Sequence, residues 1–85
     1  MALSEAVESI VKLLVKHPDE VSVQTSSFES EDDNMEQLEM SLQVHPDDRG
    51  RIIGRRGKTI NALRSVVKAA AIKQEQRINI EVIDN

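Results

Sequence analysis

Two glycines, with two arginines between them, interrupt what would otherwise be one long helical segment. The string from residue 52 to residue 60 reads Ile-Ile-Gly-Arg-Arg-Gly-Lys-Thr-Ile. Gly54 can take backbone angles that other residues resist, and Gly57 lets a ligand approach the backbone closely. A helix that begins after Gly57 presents unpaired N–H groups and the positive end of its dipole, which favour a phosphate group. The string therefore predicts two helices joined by a phosphate-binding loop at residues 54–57.

The residues on either side of this loop fix the two helices. Pro46, followed by two acidic residues, is typical of a helix start, and the first glycine limits that helix to residues 46–53. After the loop, small and branched apolar residues recur at helical spacing over residues 58–74. The side of the second helix that we expect to be apolar contains Ile60, Leu63, Val66, Val67, Ala70 and Ala71.

The rest of the chain predicts one more helix and three strands. Strict alternation of apolar and polar residues predicts strands at 20–25, 37–45 and 77–83. The polar, acidic stretch of residues 26–34 predicts a mobile hairpin loop. A helix is predicted at residues 3–16, with an apolar side formed by Leu3, Val7, Ile10, Val11 and Leu14.

Eighty-five residues are enough for one domain and too few for two. The predicted order over residues 1–85 is helix, strand, strand, helix, loop, helix, strand. We therefore expect an α+β fold in which three helices pack on one side of a three-stranded mixed sheet. The start of the chain lacks the pattern of a signal peptide, and no apolar run is long enough to cross a bilayer. With no cysteine for disulfides, these features predict a soluble, cytoplasmic protein.

The charge of the chain is distributed unevenly. The net charge is −4, but residues 1–45 carry ten acids and two bases, whereas residues 46–85 carry five acids and nine bases. Residues 49–58 contain five bases and no acid. Because local potential steers a polyanion to its site, this segment predicts a nucleic-acid contact on an otherwise acidic protein.

The predicted contacts divide into a backbone clamp and a base-reading groove. Phe28 is the only aromatic residue, which argues against modules that stack bases on exposed rings. Arg55 and Arg56 are expected to bind phosphate oxygens, which fixes register without reading sequence. Bases would then be read by an aliphatic groove formed by Ile53, Ile60 and the strand that starts near Leu38. Further candidate RNA contacts, which solubility alone could also explain, are Arg49, Arg51 and Lys58.

Other chemistries lack the residues they need. Gly57-Lys58-Thr59 imitates the end of a nucleotide-binding P-loop, but position 52 is isoleucine where that motif needs glycine. His17 and His45 have no cysteine or nearby histidine partner in the sequence, so no metal site is expected. The acidic run after Phe28 lacks the spacing and glycine of a calcium loop. The sequence contains no recognisable set of catalytic residues. We therefore expect a protein that is not an enzyme and that binds no cofactor and no small-molecule substrate.

The alanine-rich helix leaves two interpretations open. Ala62, Ala69, Ala70 and Ala71, together with two valines, could all belong to the core. A smooth helix surface also permits close approach of a second helix. Because a chain this short has a small core, we expect part of this surface to form a symmetric dimer contact.

The loop and the segments around it resemble a known family. Val-His-Pro-Asp-Asp-Arg-Gly-Arg before the loop and Leu-Arg-Ser-Val-Val-Lys-Ala-Ala-Ala after it are similar to small bacterial single-KH proteins of the KhpA (YlqC-like) family, with type II KH order. The resemblance implies a cytoplasmic RNA-binding protein and RNA chaperone. It also implies self-association and pairing with a second KH protein of the KhpB (Jag or EloR) type, in cell elongation and wall synthesis. Gly54, Arg55, Arg56 and Gly57 would be the clamp on single-stranded RNA.

Overall fold

The computed structural model describes residues 2–29, 31 and 34–83. Three helices and three strands occur along the chain in the predicted order, and the strands form one mixed sheet. The expected α+β fold with type II order is therefore confirmed. Short 3₁₀ turns precede β1 and α2, at Pro18–Glu20 and Pro46–Asp48. The elements are α1 (Leu3–Leu14), β1 (Ser22–Glu29), β2 (Glu36–Gln43), α2 (Arg49–Ile53), α3 (Lys58–Lys73) and β3 (Gln76–Val82).

The sheet has β2 in its centre and two edge strands. β1 and β2 are consecutive antiparallel strands, with Val23 opposite Leu42. β3 runs parallel to β2, with Val82 opposite the same Leu42. A parallel pair needs a long crossover, and α2, the glycine loop and α3 supply it. The crossover therefore places the glycine loop at one end of the domain, above the sheet face that the helices cover.

The core lies between that face and the three helices. Alternate residues of a strand point to opposite faces, so β2 buries one set of side chains and exposes the other. The core contains Val7 and Val11 of α1, Leu38, Met40 and Leu42 of β2, Ile52 of α2, Leu63 and Val67 of α3, and Ile78 and Ile80 of β3. Burying one such aliphatic side chain contributes about 1.5–3 kcal/mol. The open face of the sheet is polar and carries Phe28, which is paired with Gln37.

One prediction about local structure was wrong, and another is refined by the structure. Residues 26–29 belong to β1 rather than to a loop, because Ser26 to Glu29 pair with Glu39 to Glu36 of β2. Backbone groups form this ladder, so polar side chains on an exposed edge strand do not prevent it. The single helix predicted at residues 46–53 is a 3₁₀ turn followed by one α-helical turn and a half. Part of the expected acidic loop, residues 30, 32 and 33, lies outside the described residues.

Burial on two helices also differs from the prediction. Val66 was placed on the apolar side of α3, but it is 64% exposed. Ile10 and Leu14 of α1 are likewise more than a third exposed. Helical spacing defines an apolar stripe, but the width of the stripe that is covered depends on the neighbouring elements. Here α1 and α3 turn only part of their apolar surface toward the sheet.

Candidate nucleic-acid interface

Gly54 takes a backbone conformation that is reserved for glycine. Its φ is 76° and its ψ is 174°, a combination that is essentially unavailable to residues with a Cβ. A Cβ at this position would lie 2.9 Å from the backbone N and Cβ of Thr59, and closer still to its hydroxyl. Gly54 N–H also donates to Gly50 C=O at 2.8 Å and closes α2. The chain can leave α2 and turn back toward α3 only because position 54 is glycine.

Gly57 is required for a different reason. Arg56 and Gly57 both adopt the left-handed conformation, with φ values of 55° and 76°. Gly57 N–H donates to Gly54 C=O at 3.2 Å, which closes the loop. A Cβ on Gly57 would lie 3.4 Å from the Asn61 side-chain nitrogen, which is an ordinary contact. The constraint at Gly57 is therefore conformational, whereas the constraint at Gly54 is also steric.

The loop holds two guanidinium groups in solvent at the start of α3. Arg55 and Arg56 are exposed, and neither forms an ion pair with any of the described residues. No side chain caps the first turn of α3, which has Gly57 as its N-cap. Gly57 N–H and Lys58 N–H donate within the loop, to Gly54 C=O and Arg55 C=O, whereas the two exposed guanidinium groups can reach a phosphate group.

The basic surface extends well beyond the loop. From Arg49 to Lys73 the chain carries eight bases and no acid. Of the predicted contacts on this stretch, Arg51 and Lys58 are exposed and Arg49 is half-buried. The acidic residues that the structure describes lie instead on α1, on the strands and in the turns that precede β1, β2, α2 and β3. The structure therefore concentrates positive potential on α2, the loop and α3.

The expected aliphatic groove is not formed by the residues named for it. Ile53 is 40% exposed beside the loop, but Ile60 is only 4% exposed and packs in the core. Leu38 is also a core residue, on the helix-covered face of β2. Helical and strand periodicity identified all three as apolar but could not say which of them the other elements cover. Ile60 packs in the core, 4.0 Å from where a Cβ on Gly57 would lie, and of these three residues Ile53 is the exposed one.

Asp48, which the sequence did not single out, anchors the segment that leads to the loop. It is 1% exposed, and its carboxylate accepts the N–H groups of Lys16 and His17, both at 3.0 Å. The ring Nδ1 of His17 donates to the same carboxylate at 3.0 Å. Burial acts to raise the pKa of Asp48, but these hydrogen bonds outweigh it and hold the pKa below its ordinary value. Asp48 thereby ties the end of α1 to the start of α2.

The two histidines are neighbours, contrary to the prediction. The rings of His17 and His45 stack with centroids 4.0 Å apart and planes 15° apart. Asp47 contributes a carboxylate, and one ligand atom from each of the three residues lies within 4.8 Å of the others. Parallel rings direct their nitrogen lone pairs into separate planes, so both could reach one ion only by leaving the stack. The two histidines are 28 positions apart in sequence, and only the fold brings them together.

The solvent side of α3 is divided into two flanks of different character. On the flank beside β3, which we call the basic flank, lie Asn61, Arg64 and Lys68. Arg64 donates from Nε to Ile80 C=O at 3.0 Å and from Nη1 to Asn61 Oδ1 at 3.2 Å. The guanidinium thereby covers part of the open edge of β3, where a bare strand edge would invite pairing with another chain.

The opposite flank, beside α1, is apolar. We call apolar flank the surface formed by Thr59, Ala62 and Val66 of α3 with Ile10 and Leu14 of α1. A groove of about 420 Å³ runs between these residues, and Lys58 and Leu63 also line it. Leu13 of α1, which is 86% exposed, adds to the apolar surface of the two helices. Exposed aliphatic surface of this kind typically marks a contact with another protein.

Two helices joined by a Gly-x-x-Gly loop, packed on a three-stranded mixed sheet, define a KH domain of type II. Comparisons with known proteins agree with this class. The family described as "KhpA/KhpB, KH domain" matches residues 4–82. RNA-binding protein KhpA of Halalkalibacterium halodurans is 50% identical over 78 residues, which cover 92% of this chain and 95% of that protein. The Bacillus subtilis protein of the same name is 33% identical over 82 residues, covering 96% of this chain and 94% of that protein.

The chain therefore belongs to the KhpA/KhpB family of KH domains. A solved structure of Era in complex with MgGDPNP and nucleotides 1506–1542 of 16S ribosomal RNA has the same fold, with a TM-score of 0.69 and 16% identity. The match covers 94% of this chain and 28% of that chain, so this chain corresponds to about a quarter of Era. At this level of identity the likeness concerns the fold alone. Among the described residues, no helix combines the length and the apolar character needed to span a bilayer.

Proposed function

We propose that this protein binds single-stranded RNA and grips its sugar-phosphate backbone with residues 54–57. The observation that carries the proposal is the loop itself: Gly54 has no room for a side chain, and two exposed arginines, without an ion-pair partner among the described residues, project from the turn it creates. The relatives in the family that carry the name RNA-binding protein support the same conclusion. About four nucleotides would lie across the loop, as in other KH modules.

The role of each side chain in RNA binding follows from its chemistry. The guanidinium groups of Arg55 and Arg56 take phosphate oxygens, and the positive end of the α3 dipole adds to the attraction. Lys58 and Arg51 add positive potential beside them, and Ile53 offers an aliphatic surface to a base. Phe28 lies on the open face of the sheet, away from the helices and the loop, so it takes no part in base stacking at this site.

Charge reversal at the loop tests the proposal. The variant Arg55→Glu with Arg56→Glu should lose at least tenfold in affinity for a labelled RNA oligonucleotide, measured by fluorescence anisotropy. Its matched control is Lys12→Glu with Lys16→Glu, which changes the net charge by the same amount outside the basic stretch of residues 49–73. If the folded loop variant binds as tightly as the control, the clamp assignment is wrong. A shallower salt dependence of the loop variant, by about 0.7 for each lost phosphate contact, would show that the lost contacts are ionic.

The resemblance to the family extends the proposal to a cellular role. As an RNA chaperone or post-transcriptional regulator in the cytoplasm, the protein would act with a second KH protein of the KhpB (Jag) type in cell elongation and cell-wall homeostasis. Recovery of RNA crosslinked to the parent, but not to Arg55→Glu with Arg56→Glu, is the expected result in cells. Loss of cell-shape control in the same variant would connect RNA binding to that role.

A second candidate function is that of a KH-shaped adaptor whose main task is protein association. The exposed aliphatic surface of α1 and the apolar flank favours it, because this surface suits either a second copy or a KhpB-type partner. Leu13→Asp with Val66→Asp should shift the protein to monomer in analytical ultracentrifugation. Both side chains are exposed, so folding should be preserved. If the monomer still binds RNA while losing its partner, the two functions reside on separate surfaces.

A further inference from the structure

We propose that the outer edge of β1 binds an extended, basic segment of another protein as an additional strand of the sheet. This edge is separate from the glycine loop and from the apolar flank. The inference therefore goes beyond RNA binding and beyond the adaptor contact described above. Such a contact leaves the loop free for RNA.

The outer edge of β1 is open along the whole strand. Within the described chain β1 pairs with β2 on one side and with no strand on the other. In an antiparallel pair, alternate residues direct N–H and C=O away from the partner, so every second residue of Ser22–Glu29 offers both groups to an incoming strand. The other edge strand, β3, has Arg64 bound to Ile80 C=O on its outer side. All residues of β1 except Val23 are exposed.

The middle of β1 lacks the features that usually protect an edge strand. Edge strands typically avoid pairing with other chains by means of a lysine, a proline or a bulge. Residues 22–28 contain no charged residue, no proline and no glycine. Their ladder to β2 runs in continuous register from Ser22 to Glu29. Valine, threonine and phenylalanine in this segment favour the extended backbone, so the edge is able to accept a further strand.

Charge selects a basic partner for this edge. Residues 17–48 contain ten acids and no lysine or arginine, the reverse of the basic stretch on α2, the loop and α3. Asp19 and Glu20 precede β1, and Glu29 and Glu31 lie at its other end. All four side chains are exposed. An RNA strand is repelled from such an edge, whereas lysine or arginine side chains of a peptide meet carboxylates at both ends of it.

The last two residues of β1 offer a different group on each face of the sheet. Phe28 lies on the open face and is 54% exposed. Glu29 points to the opposite face, where the ladder places it directly across from Glu36. Like charges directly opposite each other destabilise a strand pair, and a cation beside them relieves the repulsion. Two successive basic residues of an added strand therefore meet a cation–π partner in Phe28 and a pair of carboxylates at Glu29.

A second copy of this chain is a poorer occupant than a basic peptide. The antiparallel register that pairs all of β1 with itself sets Ser22 against Glu29, and it brings Glu20 opposite Glu31. Like charges in these positions oppose association at both ends of the paired strands. A basic peptide replaces both repulsions by attractions. Because β1 has 8 residues, it spans about 26 Å, and the partner segment needs a similar extended length with basic residues near its ends.

Three labelled peptides of about nine residues test the inference with the full chain. The first has a lysine–arginine pair at each end and alternating threonine and valine between the pairs. The second carries proline at two of the central positions, which keeps the charge but removes backbone donors and prevents addition to an edge. The third carries glutamate in place of the basic residues. Fluorescence anisotropy measures affinity, and hydrogen exchange followed by NMR identifies the backbone amides that the peptide protects.

Two variants of the protein remove the groups that select the peptide. They are Glu29→Lys with Glu31→Lys, and Phe28→Ser alone. The matched control is Glu5→Lys with Glu81→Lys, which changes the net charge by the same amount on α1 and β3. All five side chains are exposed, so each variant should fold, which circular dichroism verifies.

The parent should bind the first peptide about tenfold more tightly than the proline peptide, and it should bind the glutamate peptide least. Alternate amides of residues 22–29 should become protected. Reversal of both carboxylates should cost about tenfold in affinity and the change at Phe28 about threefold, with the control within about twofold of the parent. No binding of the first peptide, equal binding of the proline peptide, or an equal loss in the control overturns the inference. Protection of the same amides by an RNA oligonucleotide, or in the concentrated parent without peptide, identifies RNA or a second copy as the occupant and overturns it as well.

Discussion

Replacing Gly54 by alanine should lower the free energy of unfolding more than the same replacement at Gly57, the other glycine of the loop. The backbone angles at Gly54 cost a residue with a Cβ about 1–3 kcal/mol. The new methyl would also lie 2.9 Å from the backbone nitrogen of Thr59, an atom fixed within the first turn of α3. Relief requires that α3 move relative to α2, so we expect a total loss of about 3–5 kcal/mol.

The comparison variant is Gly57→Ala. Its backbone is left-handed but not otherwise unusual, and its methyl would make only an ordinary contact with Asn61, so its cost should be about 1–2 kcal/mol. For a domain of 85 residues, 1 kcal/mol corresponds to about 4–8 °C in the melting temperature. The midpoints of the two ranges differ by about 2.5 kcal/mol, so Gly54→Ala should melt about 10–20 °C below Gly57→Ala. Gly57→Asn should be the mildest of the three, because asparagine tolerates this conformation.

Urea and thermal unfolding followed by circular dichroism at 222 nm measure these differences. The total stability of a domain of this size is about 4–13 kcal/mol, so Gly54→Ala should leave a measurable unfolded population near body temperature. Equal losses for Gly54→Ala and Gly57→Ala would refute the reasoning, because the steric contact with Thr59 would then carry no cost. Adding Thr59→Ser to Gly54→Ala should restore little, since the backbone nitrogen at position 59 remains in place.

Two further predictions concern the contacts that position the loop and cover the sheet edge. Because the folded pKa of Asp48 is lowered, its contribution to stability is present above about pH 4 and is lost as the pH falls through the folded value. Asp48→Asn should therefore destabilise the protein at pH 7 and flatten its stability between pH 5 and pH 2, measured by urea unfolding at each pH; an unchanged acid limb would contradict the role of Asp48. Arg64→Ala should cost about 0.5–1.5 kcal/mol by removing the bond to Ile80 C=O, and Arg64→Lys should recover less than half, because lysine lacks the fork that also reaches Asn61. Full recovery by lysine would mean that charge alone matters at this position.

The order of helices and strands was predictable because it depends on local patterns. Pro46, the two loop glycines and the alternation in β2 each restrict the backbone within a few residues. The errors occur where a distant segment decides. Residues 26–29 form a strand only because β2 offers backbone partners, and Val66 is exposed because no element of the described chain covers that side of α3.

The residues of the candidate site also divide into those that local patterns identify and those whose surroundings depend on distant segments. Arg55 and Arg56 were predictable as exposed cations, because the glycines on both sides form a turn that projects them into solvent. Ile60 was predicted to line a groove, but it is buried in the core. An apolar residue in the first turn of a helix can face either solvent or the core, and packing against the sheet determines which. Asp48 gave no signal at all, because its three hydrogen bonds come from residues about thirty positions earlier.

By itself, the sequence determined the loop: two glycines, two arginines and the helix that follows them. The backbone angles at Gly54 are a property of that residue, and the basic character of residues 49–58 holds whatever the fold. Only the tertiary structure decided what surrounds the loop. It buried Asp48 beneath α2, stacked His17 on His45, and divided α3 into a basic flank beside β3 and an apolar flank beside α1. The physical reason is range: backbone strain and local charge act within a few residues, whereas burial and hydrogen bonding depend on which distant segments come to lie side by side.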